Sequence, residues 1–295
     1  MKAQGLFTLA AILVVSASAS ASVTMDWVSV GNPGNAADST GYGAVAYAYK
    51  IGKYEVTNAQ YGEFLNQKGA SNSSGIYNPA MLGITQSGGL GTFSYSVIPT
   101  LANHPVAHVS WFDAARFANW LMNGQASGDM ETGAYTLNGA MSGVITANVG
   151  ALVYIPNENE WYKAAYYSAA NTNYSLYPNG QNTIGTSNAN YGLSFHATSP
   201  AGNYSSASAY GTFDQGGNVW EWNDGIGSSA HTWRGGSSMS LQSHLESSFS
   251  IPAVPPGNEN SAVGFRVAGV DAIPEPSSML LTMLASGMML IRRKR

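Results

Sequence analysis

Asp214-Gln215-Gly216-Gly217-Asn218-Val219-Trp220-Glu221-Trp222 is the most distinctive run in the chain. Two adjacent glycines permit a tight turn, and two carboxylates seven positions apart bracket it. Hard cations such as calcium take six to eight oxygens at about 2.3–2.6 Å, from carboxylates and backbone carbonyls. A glycine turn can aim carbonyls inward for that purpose. The same run is equally readable as a turn whose carboxylates accept backbone N–H groups, so spacing alone leaves both readings open.

Upstream of this turn, three helices announce themselves by their start signals, an N-cap residue followed three positions later by an acid or amide. Thr57 with Gln60 predicts a helix to about Asn66, Ser110 with Asp113 one to about Met122, and Asn157 with Glu160 one to about Tyr167. Their apolar faces follow a 3.6-residue period: Tyr61, Phe64 and Leu65; Ala114, Phe117, Ala118 and Leu121; Trp161, Ala164 and Ala165. Ala44 to Ile51, Tyr54 to Val56, Ala151 to Ile155 and Gly264 to Ala268 read as strands. The stretches 69–103, 123–150 and 168–212 are rich in Gly, Asn and Ser but keep recurring aromatics. They are expected to be ordered loops, and no break in composition divides the body into two domains.

Several segments, in order, resemble the formylglycine-generating enzyme (sulfatase-modifying factor) family. They are Lys53-Tyr54-Glu55-Val56-Thr57-Asn58-Ala59-Gln60-Tyr61 with Phe64-Leu65-Asn66; His104-Pro105-Val106 with Val109-Ser110-Trp111 and Asp113-Ala114-Ala115; and Ile155 to Trp161. Asn188-Ala189-Asn190-Tyr191, Gly216 to Trp222, Arg234-Gly235-Gly236-Ser237 and Gly264-Phe265-Arg266 complete the series, which covers roughly Asp26 to Val270. The resemblance implies a loop-rich α+β fold related to C-type lectins, with little regular secondary structure. It also assigns a calcium site to the side chains of Asp214 and Glu221 and the carbonyls of Gly217 and Val219. A second family calcium site would begin at Asn190 and Tyr191, but no Asp or Glu lies between Tyr191 and Ser199, so it is not expected here.

The same family uses two cysteines after the Gly-Gly-Ser segment to bind copper as thiolates and oxidise a substrate cysteine. This chain has no cysteine at all, and the matching positions hold Ser240 and Leu245. A serine hydroxyl is a poor soft-metal ligand and leucine offers no donor. No copper is expected, and formylglycine formation is not the expected activity. The leading expectation is a non-catalytic binding or structural protein, with a peptide, protein or polysaccharide in a groove beside Gly235-Gly236 that Trp233, Ser240 and His244 would line. The alternative is an enzyme of different, non-thiol chemistry, which requires His231, His244, Glu246 or Ser240 to share a pocket. Arg234 and Arg266 are expected to partner buried carboxylates such as Glu221, and Asp113 and Glu160 to cap helices.

The two ends carry export signals. Lys2, the apolar run Leu6 to Val15 and the alternating Ala17-Ser18-Ala19-Ser20-Ala21 read as a signal peptide over residues 1–21, cleaved near Ala21. At the other end, residues 271–295 hold Pro274-Glu275-Pro276, an apolar stretch and Arg292-Arg293-Lys294-Arg295. Residues 277–291 would span only ~22 Å as a helix against a ~30 Å hydrocarbon core, enough for transient inner-membrane anchoring. This end resembles the PEP-CTERM sorting signal of Gram-negative bacteria, which implies an exosortase-type processing protease and a destination in the cell envelope, cell surface or extracellular matrix. Between the signals, residues 22–270 form the expected single domain. Without Lys2, the four terminal basic residues and Glu275, seven basic residues face fifteen acidic ones, about minus eight. That balance disfavours nucleic acid as a partner.

Overall fold

The structure is a computed structural model, and it describes residues 22–193, 197–225 and 231–270. The expected signal peptide over residues 1–21 and the expected sorting signal with Pro274, Glu275 and Pro276 lie outside the described residues. No helix among the described residues is long and apolar enough to cross a membrane.

Three helices form where the start signals place them: α1 (Asn58–Lys68), α2 (Trp111–Met122) and α3 (Glu158–Tyr166). Each opens on a complete capping box, with Thr57 and Gln60, Ser110 and Asp113, and Asn157 and Glu160 exchanging side-chain and backbone bonds. Two otherwise orphaned amides are satisfied at each start, a contribution of about 1 kcal/mol per cap. α1 runs two residues past the expected end and stops at Gly69, whose N–H bonds the Leu65 carbonyl.

Twelve short strands are described: β1 (Trp27–Val30), β2 (Tyr49–Gly52), β3 (Ile84–Ser87), β4 (Ser94–Val97), β5 (Val153–Tyr154), β6 (Tyr167–Ser168), β7 (Asn173–Tyr174), β8 (Trp220–Asn223), β9 (His231–Arg234), β10 (Ile251–Val254), β11 (Val263–Gly264) and β12 (Ala268–Gly269). They build two four-stranded sheets, in the orders β1-β2-β12-β5 and β10-β9-β8-β11, and two two-stranded hairpins. The first sheet is antiparallel throughout. In the second, β11 runs parallel to β8. With most residues outside helices and strands, this is the loop-rich α+β architecture expected.

Four local expectations change. Only Tyr49–Gly52 of the stretch from Ala44 is a strand. Tyr54 to Val56 is not a strand; Val56 instead bonds Phe265 through its N–H and Val106 through its carbonyl, a single crossing that leaves Glu55 turned inward. The run Gly264 to Ala268 is split between β11 and β12, one in each sheet, with Arg266 between them. The hairpin β3–β4 lies inside 69–103, and the pair β6–β7 sits at the start of 168–212.

The core is aromatic. Tyr61 and Phe64 of α1 meet Phe117 and Trp120 of α2, and Phe265 closes the group, with ring centroids 5.2 to 6.3 Å apart. Edge-on and offset pairs of this kind add ~0.5–1.5 kcal/mol beyond area burial. α2 is buried on every side through Trp120, which places Arg116 fully inside, where it bonds Glu131 at 2.7 Å.

Candidate functional site

The Asp214–Glu221 glycine turn leads straight into β8, the strand between β9 and β11. Asp214, Gly217 and Asn218 all take positive φ there (59°, 85° and 62°). At Gly217 a Cβ would fall 2.2 Å from the Asn190 carbonyl oxygen, so close backbone approach as well as φ requires glycine. Asn218 is the hub: its amide donates to Glu55 Oε1 at 2.9 Å, and its carbonyl accepts the Ser199 N–H at 2.8 Å.

Glu221 is completely buried. Arg266 Nε donates to its Oε2 and Nη2 to its Oε1, both at 2.6 Å, while the Trp161 indole donates to Oε2 at 2.7 Å. Asp214 accepts the Gly202 N–H at 2.6 Å, and burial pushes its pKa up to about 6. Glu55 is buried too; burial and then the charge of Asp214 hold its carboxyl well above the ordinary range. Its Oε2 has no partner. Three buried carboxylates thus surround one guanidinium, and the excess negative charge must be carried by protons or by a cation. Among the described residues no three His, Asp or Glu side chains converge as a metal-binding group. A cation at the turn would therefore draw on Asp214, the remaining acceptor site of Glu221 and the carbonyls of Gly217 and Val219. The orphaned Glu55 oxygen is the observation that fits such a charge.

The Gly-Gly-Ser segment follows β9. Gly235 and Gly236 both have positive φ (95° and 79°), and a Cβ at Gly236 would lie 2.7 Å from Leu245 Cδ1. Leu245 is fully buried in a small cluster with Tyr177, Ala189 and Tyr191. Ser240 is buried, and its Oγ accepts the Ser237 N–H at 2.8 Å. Of the two positions that the family resemblance matches to thiols, Leu245 is thus a core aliphatic and Ser240 is spent on a turn.

The residues expected around the groove do not gather. Trp233 is only 8 % exposed, because β9 is an interior strand, and it packs edge-on to Trp222 at 5.2 Å. It belongs to the core. His244 is half-buried and stacks on Phe249 at 4.4 Å. Glu246 accepts from the Tyr177 hydroxyl at 3.1 Å. His231 is fully buried and lies flat on Trp111, with centroids 4.0 Å apart and planes 6° apart. Each has its own neighbours, so the alternative of a shared His231, His244, Glu246 and Ser240 pocket gains no geometric support. Arg266 does partner Glu221 as expected, whereas Arg234 pairs with Glu158 at 2.7 Å.

A groove does open beside this segment. A cavity of about 480 Å³ is lined by Leu82, His104, His108, Ser238, Met239 and Ala262, with Leu82 and Met239 substantially exposed. Sequence reasoning missed Leu82 and Met239, which carry no motif and meet only through folding. It also missed Glu55 and Asp224. Asp224 faces His231 at 3.5 Å, and burial pushes its pKa up to about 7. Glu55 lies within the Lys53–Tyr61 segment that carries the family resemblance, but nothing local to that segment marks it as a buried partner of Asn218.

Among solved structures, the chain is similar to CarF (24% identity, TM-score 0.58, covering 84% of this chain and 98% of that one). It is also similar to Treponema denticola variable protein 1 (19% identity, TM-score 0.59, 86% and 97%). Both likenesses concern the fold. In sequence it is 28% identical over 187 residues to hercynine oxygenase of Mycobacterium tuberculosis, covering 59% of this chain and 37% of that protein. The chain thus spans little more than a third of that curated relative's length. Residues 31–270 match the sulfatase-modifying factor enzyme 1-like domain, and the chain belongs to that family.

Proposed function

We propose that this chain is an exported, non-catalytic binding protein of the cell surface or extracellular matrix, built on a sulfatase-modifying-factor scaffold. The observation that carries the reading is the state of the segment after Gly236. Leu245 is sealed in the core and Ser240 is bonded into a turn, while the adjoining groove keeps two large apolar side chains in solvent. An exposed apolar concavity of this size is what a ligand-binding surface requires. Of the candidate ligands, a peptide or protein segment suits the Leu82–Met239 lining better than a polysaccharide, which needs more free hydrogen-bonding groups. Export, exosortase-type processing and transient anchoring through residues 277–291 rest on the sequence of the two ends.

Calcium belongs to the same proposal as a structural ion. Asp214, Glu221 and the carbonyls of Gly217 and Val219 would hold it, and it would supply positive charge to the buried carboxylates. A second reading, an enzyme of non-thiol chemistry, is favoured by one observation, the sequence likeness to a protein named as an oxygenase.

One experiment tests the proposal. The purified protein is incubated with a cysteine-containing peptide, copper and oxygen, and the peptide mass is followed; in parallel, peptide and polysaccharide arrays are probed for retention. Retention on peptides, lost in Leu82→Asp and Met239→Asp, with no aldehyde formed, is the expected result. Aldehyde formation, or retention indifferent to both substitutions, overturns the proposal.

A further inference from the structure

Two polar cavities adjoin along β7 and share no lining residue with the groove. The larger, of about 650 Å³, includes Asp38 and Tyr167; the smaller, of about 270 Å³, includes Ser168, Asn171 and Gln181. Asn173, Tyr174, Ser175 and Asn182 line both, so the two are lobes of one cleft. No lysine, arginine, histidine or glutamate lines either lobe.

Asn173 and Asn182 are exposed, yet their amides are held in place. Asn173 Oδ1 accepts the Tyr174 N–H at 2.8 Å, and Asn182 Oδ1 accepts the Leu176 N–H at 2.9 Å. Each side-chain carbonyl is committed to the backbone, and neither NH2 group bonds another described residue. Asn179, which lines neither lobe, shows the contrast: its carbonyl accepts the Gln181 N–H and its NH2 donates to the Thr183 carbonyl. Tyr174 is fixed as well. Its hydroxyl donates to the Ala36 carbonyl at 2.8 Å and accepts from Asn35 Nδ2 at 2.7 Å, and its ring lies 5.0 Å from Tyr167 across the β6–β7 pair. Asp38 already accepts the Thr40 N–H at 2.7 Å and the hydroxyls of Thr40 and Tyr162.

We propose that this cleft binds a neutral oligosaccharide, with the NH2 groups of Asn173 and Asn182 donating to sugar oxygens and an apolar sugar face on Tyr174. Such a ligand brings many oxygens and no charge, which suits fixed donors, hydroxyls and a tyrosine. Donors already held in place lose little freedom on binding. An anion would find no cationic side chain and would face Asp38. A cation would find that carboxylate already engaged by three donors. An apolar ligand would cover the amides without satisfying them, which is costly. An extended peptide needs pockets for alternate side chains, and Leu176 is the one large aliphatic residue in the two linings. The inference is independent of the groove beside Gly236.

The test titrates the purified protein by NMR at fixed pH with probes of matched size. Maltotriose, cellotriose and chitotriose are the neutral sugars, trigalacturonate the anionic one, the glucosamine trimer the cationic one and triserine the peptide. At least one neutral trisaccharide should bind saturably and more tightly than the charged sugars and triserine. Asn173→Asp and Asn182→Asp keep an acceptor for the Tyr174 and Leu176 N–H groups but remove the NH2 donor. Each should weaken that sugar by about three- to tenfold. Leu82→Asp, in the groove, should leave its affinity unchanged. The proposal is overturned if no neutral trisaccharide binds saturably, if triserine or a charged sugar binds as well, if neither asparagine substitution weakens binding, or if Leu82→Asp abolishes it.

Discussion

The guanidinium of Arg266 grips both carboxylate oxygens of Glu221 at 2.6 Å, with neither side chain exposed to solvent. Because Arg266 sits between β11 and β12, and also donates to the Gly52 carbonyl at 2.8 Å, this one contact ties the two four-stranded sheets together. Truncating one partner of a buried pair strands the other charge, at a cost of about 3–5 kcal/mol. Glu221→Gln and Arg266→Met should each lower the unfolding free energy, read from urea denaturation, by that order. The double variant should cost less than the sum of the two. Additive losses in a double-mutant cycle would mean that the pair is not energetically coupled.

Leu245 and Gly236 should behave as a packed couple. Leu245→Ala removes a fully buried side chain, and such changes cost about 2–5 kcal/mol. Gly236→Ala combines a positive-φ strain with a Cβ 2.7 Å from Leu245 Cδ1. Adding Leu245→Ala to Gly236→Ala should relieve the clash, though not the strain, so the losses should fall short of additive in denaturant unfolding.

Stability should rise on mild acidification. Burial pushes Asp113 and Asp224 up to about 7, well above their unfolded value of about 3.9. The fold therefore favours the protonated acids; that contribution is complete below about pH 3.9 and is lost as pH climbs through about 7. His231 acts oppositely: burial lowers it to about 4, so its contribution is present above about 6.5 and disappears as pH falls toward 4. The two acids should raise the melting temperature by roughly 5 °C between pH 8.5 and pH 6, taking ~1.4 kcal/mol per pKa unit and ~2–4 °C per kcal/mol for a domain this size. Below that, His231 should flatten the curve. Asp113→Asn and Asp224→Asn should each reduce the slope measured by differential scanning calorimetry, and an unchanged slope in both would count against this assignment.

Calcium is separable from this effect at constant pH. A structural ion at a hundredfold excess over its Kd stabilises by about 2.7 kcal/mol. Melting in calcium against chelator should therefore differ by several degrees, and Asp214→Ala should remove the difference. Identical melting curves would leave protons as the carriers of the buried excess charge around Glu55, Asp214 and Glu221.

What the sequence determined by itself was local. Capping boxes at Thr57, Ser110 and Asn157 are written in residues three apart, so the three helix starts were legible to the residue. The apolar period of each helix likewise named Tyr61, Phe117 and Trp161 as core. The missing thiols were legible as well, because composition alone excludes thiolate chemistry. Tertiary structure decided everything that depends on distant residues meeting. β8 and β9 bury all their side chains, so they lack the alternation that marks a half-covered strand, and Trp233 became core rather than groove lining. Glu55, from before α1, reached Asn218 across 163 positions, and Asp224 found His231 and a cavity. A carboxylate's role is set by which charges, donors and solvent surround it, and those surroundings exist only once the chain has closed on itself.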